Sequence, residues 1–211
     1  MINKAKLLSV TAAGLFAVAT SASASIIDFT DATTGTSGSV DGVAWWLTSS
    51  GTLNNSQLYD GTAPLPPAEW SLALDRDGYG VGDDEISYID VSEWITITFE
   101  TAVQVSAVAF LDLFVGNGTQ EVAYATDNNG NVTEIDSTFA PFTGGGFAAA
   151  DTGMFWLTSL RFTVGDGNDA FGAADGALAA INVSAVPVPA AGFMMLGALG
   201  GLTAMRRRKK A

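Results

Sequence analysis

Hydrophobic and polar residues alternate with a period of two along much of the middle of the chain. In residues 93–100, Ile95, Ile97 and Phe99 alternate with Trp94 and two threonines. Because successive side chains of a strand point to opposite faces of a sheet, this segment predicts a strand whose isoleucines and phenylalanine are buried. Residues 103–115 are apolar on both faces and predict a central strand covered on both sides.

The rest of the middle predicts short strands and turns. No helical period is sustained there, and eight further segments have strand character: 26–29, 43–47, 70–74, 86–89, 121–126, 132–135, 155–164 and 178–185. The run Asn128-Asn129-Gly130-Asn131 predicts a tight hairpin, since Asn and Gly accept positive φ. The proline-rich segment 61–69 and the glycine-rich segment 143–153 predict long flexible loops. Together these features predict an all-β fold over residues 25–185, an antiparallel β-sandwich that is jelly-roll-like.

The N-terminus has the three parts of a secretory signal peptide. Two lysines precede an apolar run over residues 7–19, and Ala22-Ser23-Ala24 has the small-x-small pattern that signal peptidase recognises. Residues 1–24 therefore predict a signal-peptide helix that is removed after Ala24 during export. The alternative is an N-terminal helix that stays buried in the protein.

The C-terminus predicts a transmembrane helix. Residues 186–205 contain no charge, and at about 1.5 Å per helical residue they span about 30 Å, the thickness of a bilayer core. The next five residues are Arg206, Arg207, Arg208, Lys209 and Lys210. Because positive flanks stay in the cytoplasm, we expect a single pass with the N-terminus outside and the C-terminus inside.

The order of parts in this tail carries a resemblance to a known sorting signal. Val186-Pro187-Val188-Pro189-Ala190, a Gly-rich apolar helix and the basic cluster together resemble the VPLPA variant of the PEP-CTERM signal of Gram-negative bacteria, with Val188 where the variant has Leu. The resemblance implies that an exosortase-type enzyme of the inner membrane cuts near the proline motif and releases the ectodomain or transfers it to the cell surface. The alternative is a permanent membrane anchor.

Composition and charge exclude several classes of chemistry. The chain has 211 residues, with 22 Asp and Glu, nine Lys and Arg, and neither His nor Cys. Catalytic triads with His, zinc fingers and disulfides are therefore excluded. Residues 25–185 contain all 22 acids and two bases, Arg76 and Arg161, a net charge of −20. Because this charge repels phosphate backbones, we expect no nucleic-acid partner.

An acidic segment, residues 75–85, is a candidate Ca²⁺ site. It carries five carboxylates around three glycines: Asp75, Asp77, Asp83, Asp84 and Glu85. Ca²⁺ takes several oxygen ligands, and glycines let the backbone curl so that such ligands converge. The spacing is not that of an EF-hand. The alternative is an acidic loop that is only solvated.

Two of the five tryptophans are candidates for carbohydrate binding. Trp45 and Trp46 are neighbours on a predicted strand, so at most one of them can join a single-sided core. Trp94 lies opposite the apolar face of its own strand. Exposed indoles can stack on sugar rings, which makes Trp46 and Trp94 the candidates; the alternative is that most tryptophans are buried in the core.

These features favour an exported, non-catalytic protein with a structural or adhesive role at the cell surface or in the extracellular matrix. A Ca²⁺-assisted carbohydrate-binding module that contacts a polysaccharide is the first alternative. The second is a glycosidase, which would need two carboxylates. Its candidates are Glu69, Glu85, Glu93 and Glu100, and the sequence selects no pair among them.

Overall fold

The computed structural model describes residues 24–82, 85–88, 92–116, 119–140, 143–165 and 174–185. Within them the strands are β1 (Ser25–Asp28), β2 (Ser37–Val40), β3 (Val43–Ser49), β4 (Leu53–Asn54), β5 (Gly80–Val81), β6 (Ile95–Leu111), β7 (Val115–Gly116), β8 (Thr119–Gln120), β9 (Val122–Asp127), β10 (Val132–Asp136), β11 (Ala148–Gly165) and β12 (Ala177–Ala185). Helix is limited, in these residues, to the 3₁₀ turns Ala68–Trp70 and Gly144–Gly146. The predicted antiparallel all-β fold is confirmed.

Eight strands form one antiparallel sheet. Its order is β1-β12-β6-β11-β9-β10, with the β2–β3 hairpin added to β6, while β4–β5 and β7–β8 form two small ladders. One edge of β6 pairs with β11. The other edge pairs with β3 through its first part, from Ile95 to Phe99, and with β12 through its second part, from Val103 to Leu111. Strand β6 is therefore shared by two different groups of neighbours.

The sheet folds over on itself. Phe162 of β11 lies opposite Ile95 at the start of β6, and Phe110 lies 15 positions further along β6. In a straight strand that separation is about 50 Å, at about 3.3 Å per residue. The ring centroids of Phe110 and Phe162 are nevertheless 6.1 Å apart. The two halves of the sheet therefore pack face to face, which is consistent with a β-sandwich.

The main core lies between the two halves. The predicted buried face is confirmed, because Ile95, Ile97 and Phe99 are at most 2% exposed. Phe29, which follows β1, packs edge-on against the rings of Trp45 and Tyr79, with centroids 5.7 Å away in each case. Edge-to-face contacts of this kind stabilise a core beyond the area they bury.

A second apolar cluster covers the back of the second half-sheet. Ala107, Ala109 and Leu111 of β6 pack there with Trp70 and its neighbours in the segment 55–74. We call residues 55–74 the covering segment. Small alanines let this irregular chain approach the sheet closely. The predicted coverage of this strand on both faces is therefore confirmed, and the covering segment explains it.

The hairpin between β9 and β10 is confirmed. Gly130 has φ +84°, which the turn requires. The Asp127 carboxylate accepts hydrogen bonds from the backbone N–H of Asn129 at 2.8 Å, and from the backbone N–H and side-chain amide of Asn131 at 2.9 and 2.7 Å. Burial by itself raises the pKa of Asp127, but these hydrogen bonds outweigh it and hold the pKa below its usual value.

Several predicted element boundaries are wrong. The two strands predicted over 93–100 and 103–115 are the single strand β6. Residues 71–74 are irregular, and two of their N–H groups donate to side chains: that of Ala73 to Asp28 Oδ2 and that of Leu74 to Thr30 Oγ1. Residues 86–88 are likewise not a strand. The alternation of polar and apolar residues could not show that the backbone groups of these segments form hydrogen bonds outside a β-sheet.

The predicted flexible loop at 143–153 is also wrong. Strand β11 begins at Ala148, and the three glycines before it are buried. A Cβ on Gly146 would lie 2.6 Å from the backbone nitrogen of Leu113, so glycine is required there by packing. The covering segment contains the other predicted loop, 61–69, which has no strand of its own apart from an isolated bridge at Thr62.

The two terminal signals lie outside the described residues. This applies to residues 1–23, with Ala22, and to residues 186–211, with the Val186–Ala190 motif and the basic cluster. One compact unit spans Ala22–Val186. In the part of the chain that is described, no helix is long and apolar enough to cross a membrane.

A charge placed in the main core tests the assignment of faces. Ile97 is fully buried and lies between Leu47 of β3 and Leu160 of β11. We expect Ile97→Asp to lower the free energy of unfolding by about 4 kcal/mol, because it buries an unpaired charge. Thr98→Asp, one residue further and half-buried on the opposite face, is the matched control. Equal urea midpoints for the two variants would contradict the assignment.

The Asp127 carboxylate gives the hairpin a pH-dependent contribution. Its pKa is lowered in the folded state, so its contribution to stability is complete above the unfolded pKa of about 4 and is lost as the pH falls through the folded pKa. We expect Asp127→Asn to cost about 1 kcal/mol at pH 7, and the difference from wild type to shrink below about pH 4. Glu134→Gln, an exposed carboxylate of the same hairpin, is the control in urea unfolding at both pH values. A difference for Asp127→Asn that is constant with pH would contradict this account.

Candidate functional site

One face of the first half-sheet points away from the core and forms a polar and aromatic surface. Register places Trp46, Thr98 and Ser159 side by side on β3, β6 and β11, and Thr48, Thr96 and Arg161 in the next row. Strand β9 adds Tyr124 and Thr126 opposite Thr163 and Arg161. We call this surface the outer face; its residues are half-buried or exposed. They are Trp46, Thr48, Trp94, Thr96, Thr98, Tyr124, Thr126, Ser159, Arg161 and Thr163.

The two neighbouring tryptophans of β3 have opposite environments. Trp45 is 5% exposed and packs on Phe29 in the main core, whereas Trp46 is 41% exposed on the outer face. The prediction that at most one of them joins the core is confirmed. Trp46 therefore presents a large part of its indole to solvent.

Trp94 lies on the same face as Trp46, and its indole contacts a neighbouring side chain. Its backbone N–H donates to Ser50 Oγ at 3.1 Å, and its carbonyl accepts from the Ser50 N–H at 3.0 Å. Ser50 is four residues beyond Trp46, so the two indoles are offset by about 13 Å along the strands. The Arg161 guanidinium carbon lies 4.3 Å from the centroid of the Trp94 ring. One face of this indole is therefore engaged in a cation–π contact.

A shallow cavity continues the outer face beyond Trp94. Its volume is about 280 Å³, and its lining includes Tyr88, Ser92, Tyr124 and Thr163. Gly165 closes one side, where a Cβ would lie 2.7 Å from the Tyr124 ring. Tyr88 is half exposed. The surface thus offers indole and phenol rings together with hydroxyl groups.

The two tyrosines of this cavity were not among the site residues predicted from the sequence. Tyr124 alternates with Ala123 and Ala125, which are buried, so the two-residue period of the predicted strand contained the signal. Tyr88 lies in an irregular segment that pairs with the residues just before β12. The Ile86 N–H donates to the Gly176 carbonyl, and the Tyr88 N–H donates to the Ala174 carbonyl. No local pattern predicts that position.

The outer face suits the recognition of sugars better than catalysis. Aromatic rings contact the apolar faces of sugar rings, and neighbouring hydroxyls exchange hydrogen bonds with sugar hydroxyls. Threonine hydroxyls dominate the polar groups, and Arg161 is the one charged residue among those that define the face. Its residues include no carboxylate that could act as an acid or a base.

Three of the five candidate Ca²⁺ ligands lie within the described residues, and they have different environments. Asp75 is exposed, and Asp77 is 3% exposed and lies near Tyr59. Burial and then the charges of Asp77, Asp112 and Asp60 raise the pKa of the Tyr59 hydroxyl. Glu85 is half-buried, while Asp83 and Asp84 lie outside the described residues. Among the residues that the structure describes, no group of three carboxylates could hold a metal ion.

A groove lies between the covering segment and the sheet. Its volume is about 530 Å³. It is lined by Pro64, Leu65, Pro67, Glu69, Trp70, Asp136, Thr138, Phe139, Phe147, Ala148 and Ala149. The sequence analysis did not identify it, because its walls come from three separate parts of the chain.

The carboxylates considered for a glycosidase have different local roles. Glu69 lines the groove, whereas Glu93 Oε2 accepts a hydrogen bond from the Ser87 N–H at 2.9 Å and so fixes the chain before β6. Glu100 is exposed on β6. Of the four candidates, Glu69 is the one that lines either of the two cavities described above.

An exposed aromatic pair interrupts β11. Phe155 and Trp156 are 56% and 58% exposed, and Trp156 has φ +61°. The register between β11 and β6 shifts on both sides of this pair. Simple alternation along a strand would bury one of two neighbouring residues. The bulge explains why both side chains are exposed here, which the sequence pattern did not predict.

Comparisons with known proteins leave the family open. No protein-family profile matches the chain, and no curated protein matches it. One solved structure is weakly similar: a fragment of a Bacteroides thetaiotaomicron protein that is provisionally named a chitobiase, with a TM-score of 0.30 and 11% identity. The match covers 45% of this chain and 62% of that one. Similarity at this level carries no argument about fold or function.

Proposed function

We propose that this protein is an exported, non-catalytic surface or matrix protein that adheres to polysaccharide through its outer face. The observation that carries the proposal is the position of Trp46 and Trp94 on one solvent-facing surface among threonine hydroxyls. The proposal also takes the folded sheet to be a jelly-roll-like β-sandwich formed by the secreted part, residues 25–185.

The exposed part of the Trp46 indole is available to a ligand. Burying a large aromatic side chain stabilises a protein by about 2–3 kcal/mol, and Trp46 gives up part of that contribution in the free protein. A sugar ring can recover it by stacking. The threonines beside Trp46 are short and lie in rows at strand spacing, so they can bind hydroxyls with little loss of side-chain entropy.

The charge of the protein limits the class of polysaccharide. Residues 25–185 carry 22 acids and two bases, so anionic polymers are repelled. Neutral glycans are the partners that we propose for the outer face. A structural role without a glycan ligand is the competing form of the same proposal.

The export part of the proposal comes from the terminal sequence patterns. Signal peptidase removes residues 1–24, and the helix after Val186-Pro187-Val188-Pro189-Ala190 holds the chain in the inner membrane, N-terminus out, until an exosortase-type enzyme processes it. The mature protein then resides at the cell surface or outside the cell. We also propose that the acidic segment 75–85 binds Ca²⁺ and that the bound ion stabilises the folded protein.

Carbohydrate binding is tested on a glycan array with and without Ca²⁺, followed by titration of the best neutral ligand. We expect Trp46→Ala to weaken binding about tenfold, because it removes an aromatic contact of about 1.5 kcal/mol. Trp156→Ala removes another exposed indole, one that is not among the residues that define the outer face, and is the control. If Trp156→Ala alone weakens binding, the site is wrong; if no neutral glycan binds in either condition, the adhesive proposal fails.

Sorting is tested by expression in a Gram-negative host that has an exosortase-type enzyme. We expect the double variant Pro187→Ala, Pro189→Ala to accumulate in the inner membrane with its tail intact, because the motif next to the cut is lost. Val188→Leu restores the residue of the VPLPA motif and should be processed like wild type. Intact-mass measurement of the membrane and extracellular fractions reads the result. Release of the proline variant at the wild-type mass would contradict the sorting proposal.

A further inference from the structure

The groove beneath the covering segment has an aromatic floor. The rings of Trp70 and Phe147 meet edge-to-face, with centroids 6.1 Å apart and an interplanar angle of 69°. Both side chains are less than a tenth exposed. Trp70 ends the 3₁₀ turn of the covering segment, and Phe147 directly precedes β11, so two separate elements fix the floor.

Two carboxylates from different elements line the same groove. Glu69 belongs to the 3₁₀ turn next to Trp70, and Asp136 is the last residue of β10. Both are exposed, and Thr138, two residues after Asp136, adds a hydroxyl to the lining. The groove therefore combines a negative potential with an apolar floor.

No basic residue neutralises this potential from the lining. The two bases of residues 25–185 are engaged elsewhere, since Arg76 donates to the Ser56 carbonyl at 3.1 Å and Arg161 lies over Trp94. A groove lined by one sign of charge on low-dielectric walls concentrates the field and attracts ligands of the opposite charge.

We propose that this groove binds an amine-bearing saccharide, an oligomer of glucosamine-type units whose ammonium groups meet Glu69 and Asp136. The apolar face of one sugar ring lies on the floor formed by Trp70 and Phe147. Pro64 and Pro67 form rigid walls of the groove. The Thr138 hydroxyl forms one hydrogen bond with the sugar, as donor or as acceptor. The volume, about 530 Å³, is in the range of small-ligand sites.

A saccharide suits the groove better than a basic peptide. Eight of the eleven lining residues are apolar and two are carboxylates, so both apolar contact and charge can contribute. A lysine side chain would have to immobilise its flexible stem to bring an ammonium group to either carboxylate. A sugar ring carries its amine directly on a rigid frame and loses less entropy on binding. The groove site is separate from the outer face, so it goes beyond the adhesive function proposed above and does not depend on it.

The test compares two tetramers with the same rings and linkages, one of glucosamine and one of N-acetylglucosamine. They are titrated calorimetrically into the full chain in a polyoxyethylene detergent, which contains no sugar, at pH 6, where the amines are charged and ordinary carboxylates are ionised. We expect the glucosamine tetramer to bind at least tenfold more tightly, and its affinity to fall as salt is raised. Equal affinities for the two tetramers would overturn the proposal.

Matched variants assign the binding to the groove. The double variant Glu69→Gln, Asp136→Asn should weaken glucosamine binding at least tenfold and leave the melting temperature unchanged. Glu134→Gln with Asp151→Asn removes the same charge from exposed positions outside the groove lining and should have no effect. Equal losses in both double variants would mean a response to net charge and would overturn the site.

Two further arms separate this proposal from its rivals. Tetralysine that binds as tightly as the glucosamine tetramer would show a site for charge alone and would overturn the saccharide class. Trp46→Ala should leave glucosamine binding unchanged. If Trp46→Ala abolishes it, the ligand belongs to the outer face, so the groove assignment fails while the adhesive function stands.

Discussion

Strand β6 has to satisfy two different groups of neighbours, and the rest of the structure follows from that constraint. One of its edges pairs with β11, while the other changes partner from β3 to β12 after Phe99. Both halves must bury an apolar face, and bending the strand lets one core serve both. The contact between Phe110 and Phe162 closes that core. Because the second half is apolar on its other face too, it needs a second cover, which the covering segment supplies.

Features that depend on alternation along a single strand could be predicted from the sequence. The opposite environments of Trp45 and Trp46, the buried face around Ile97 and the Asn-Gly hairpin all follow from rules that act over a few residues. The outer face is their consequence, since side chains of one parity on neighbouring strands share a face once the register is set. What alternation could not predict is that Arg161, on a different strand, stacks on Trp94.

Features that depend on contacts between distant segments could not be predicted. Consecutive glycines usually indicate a flexible linker, yet here Gly146 is buried because the backbone at Leu113 comes too close for a Cβ. In the sequence, Asp77 is one of five carboxylates in a short acidic segment, yet in the structure it is 3% exposed and lies near Tyr59. The groove is the clearest case, since Glu69 and Asp136 are 67 positions apart in the sequence and meet only because the covering segment crosses the sheet.

The two candidate surfaces should select ligands by different physical means. Fields from exposed charges are screened within about 8 Å at physiological ionic strength, so the large net charge acts at a distance only weakly. On the outer face, where hydroxyls dominate and Arg161 is the one charged residue among those that define it, we expect stacking and hydrogen bonding to decide what binds. In the groove, Glu69 and Asp136 line the same cavity as the apolar floor, so in the proposed complex they would meet the ligand well within the screening length. A single acidic protein can therefore treat a neutral sugar polymer and an amine-bearing one differently, because the same charge is distant at one surface and adjacent at the other.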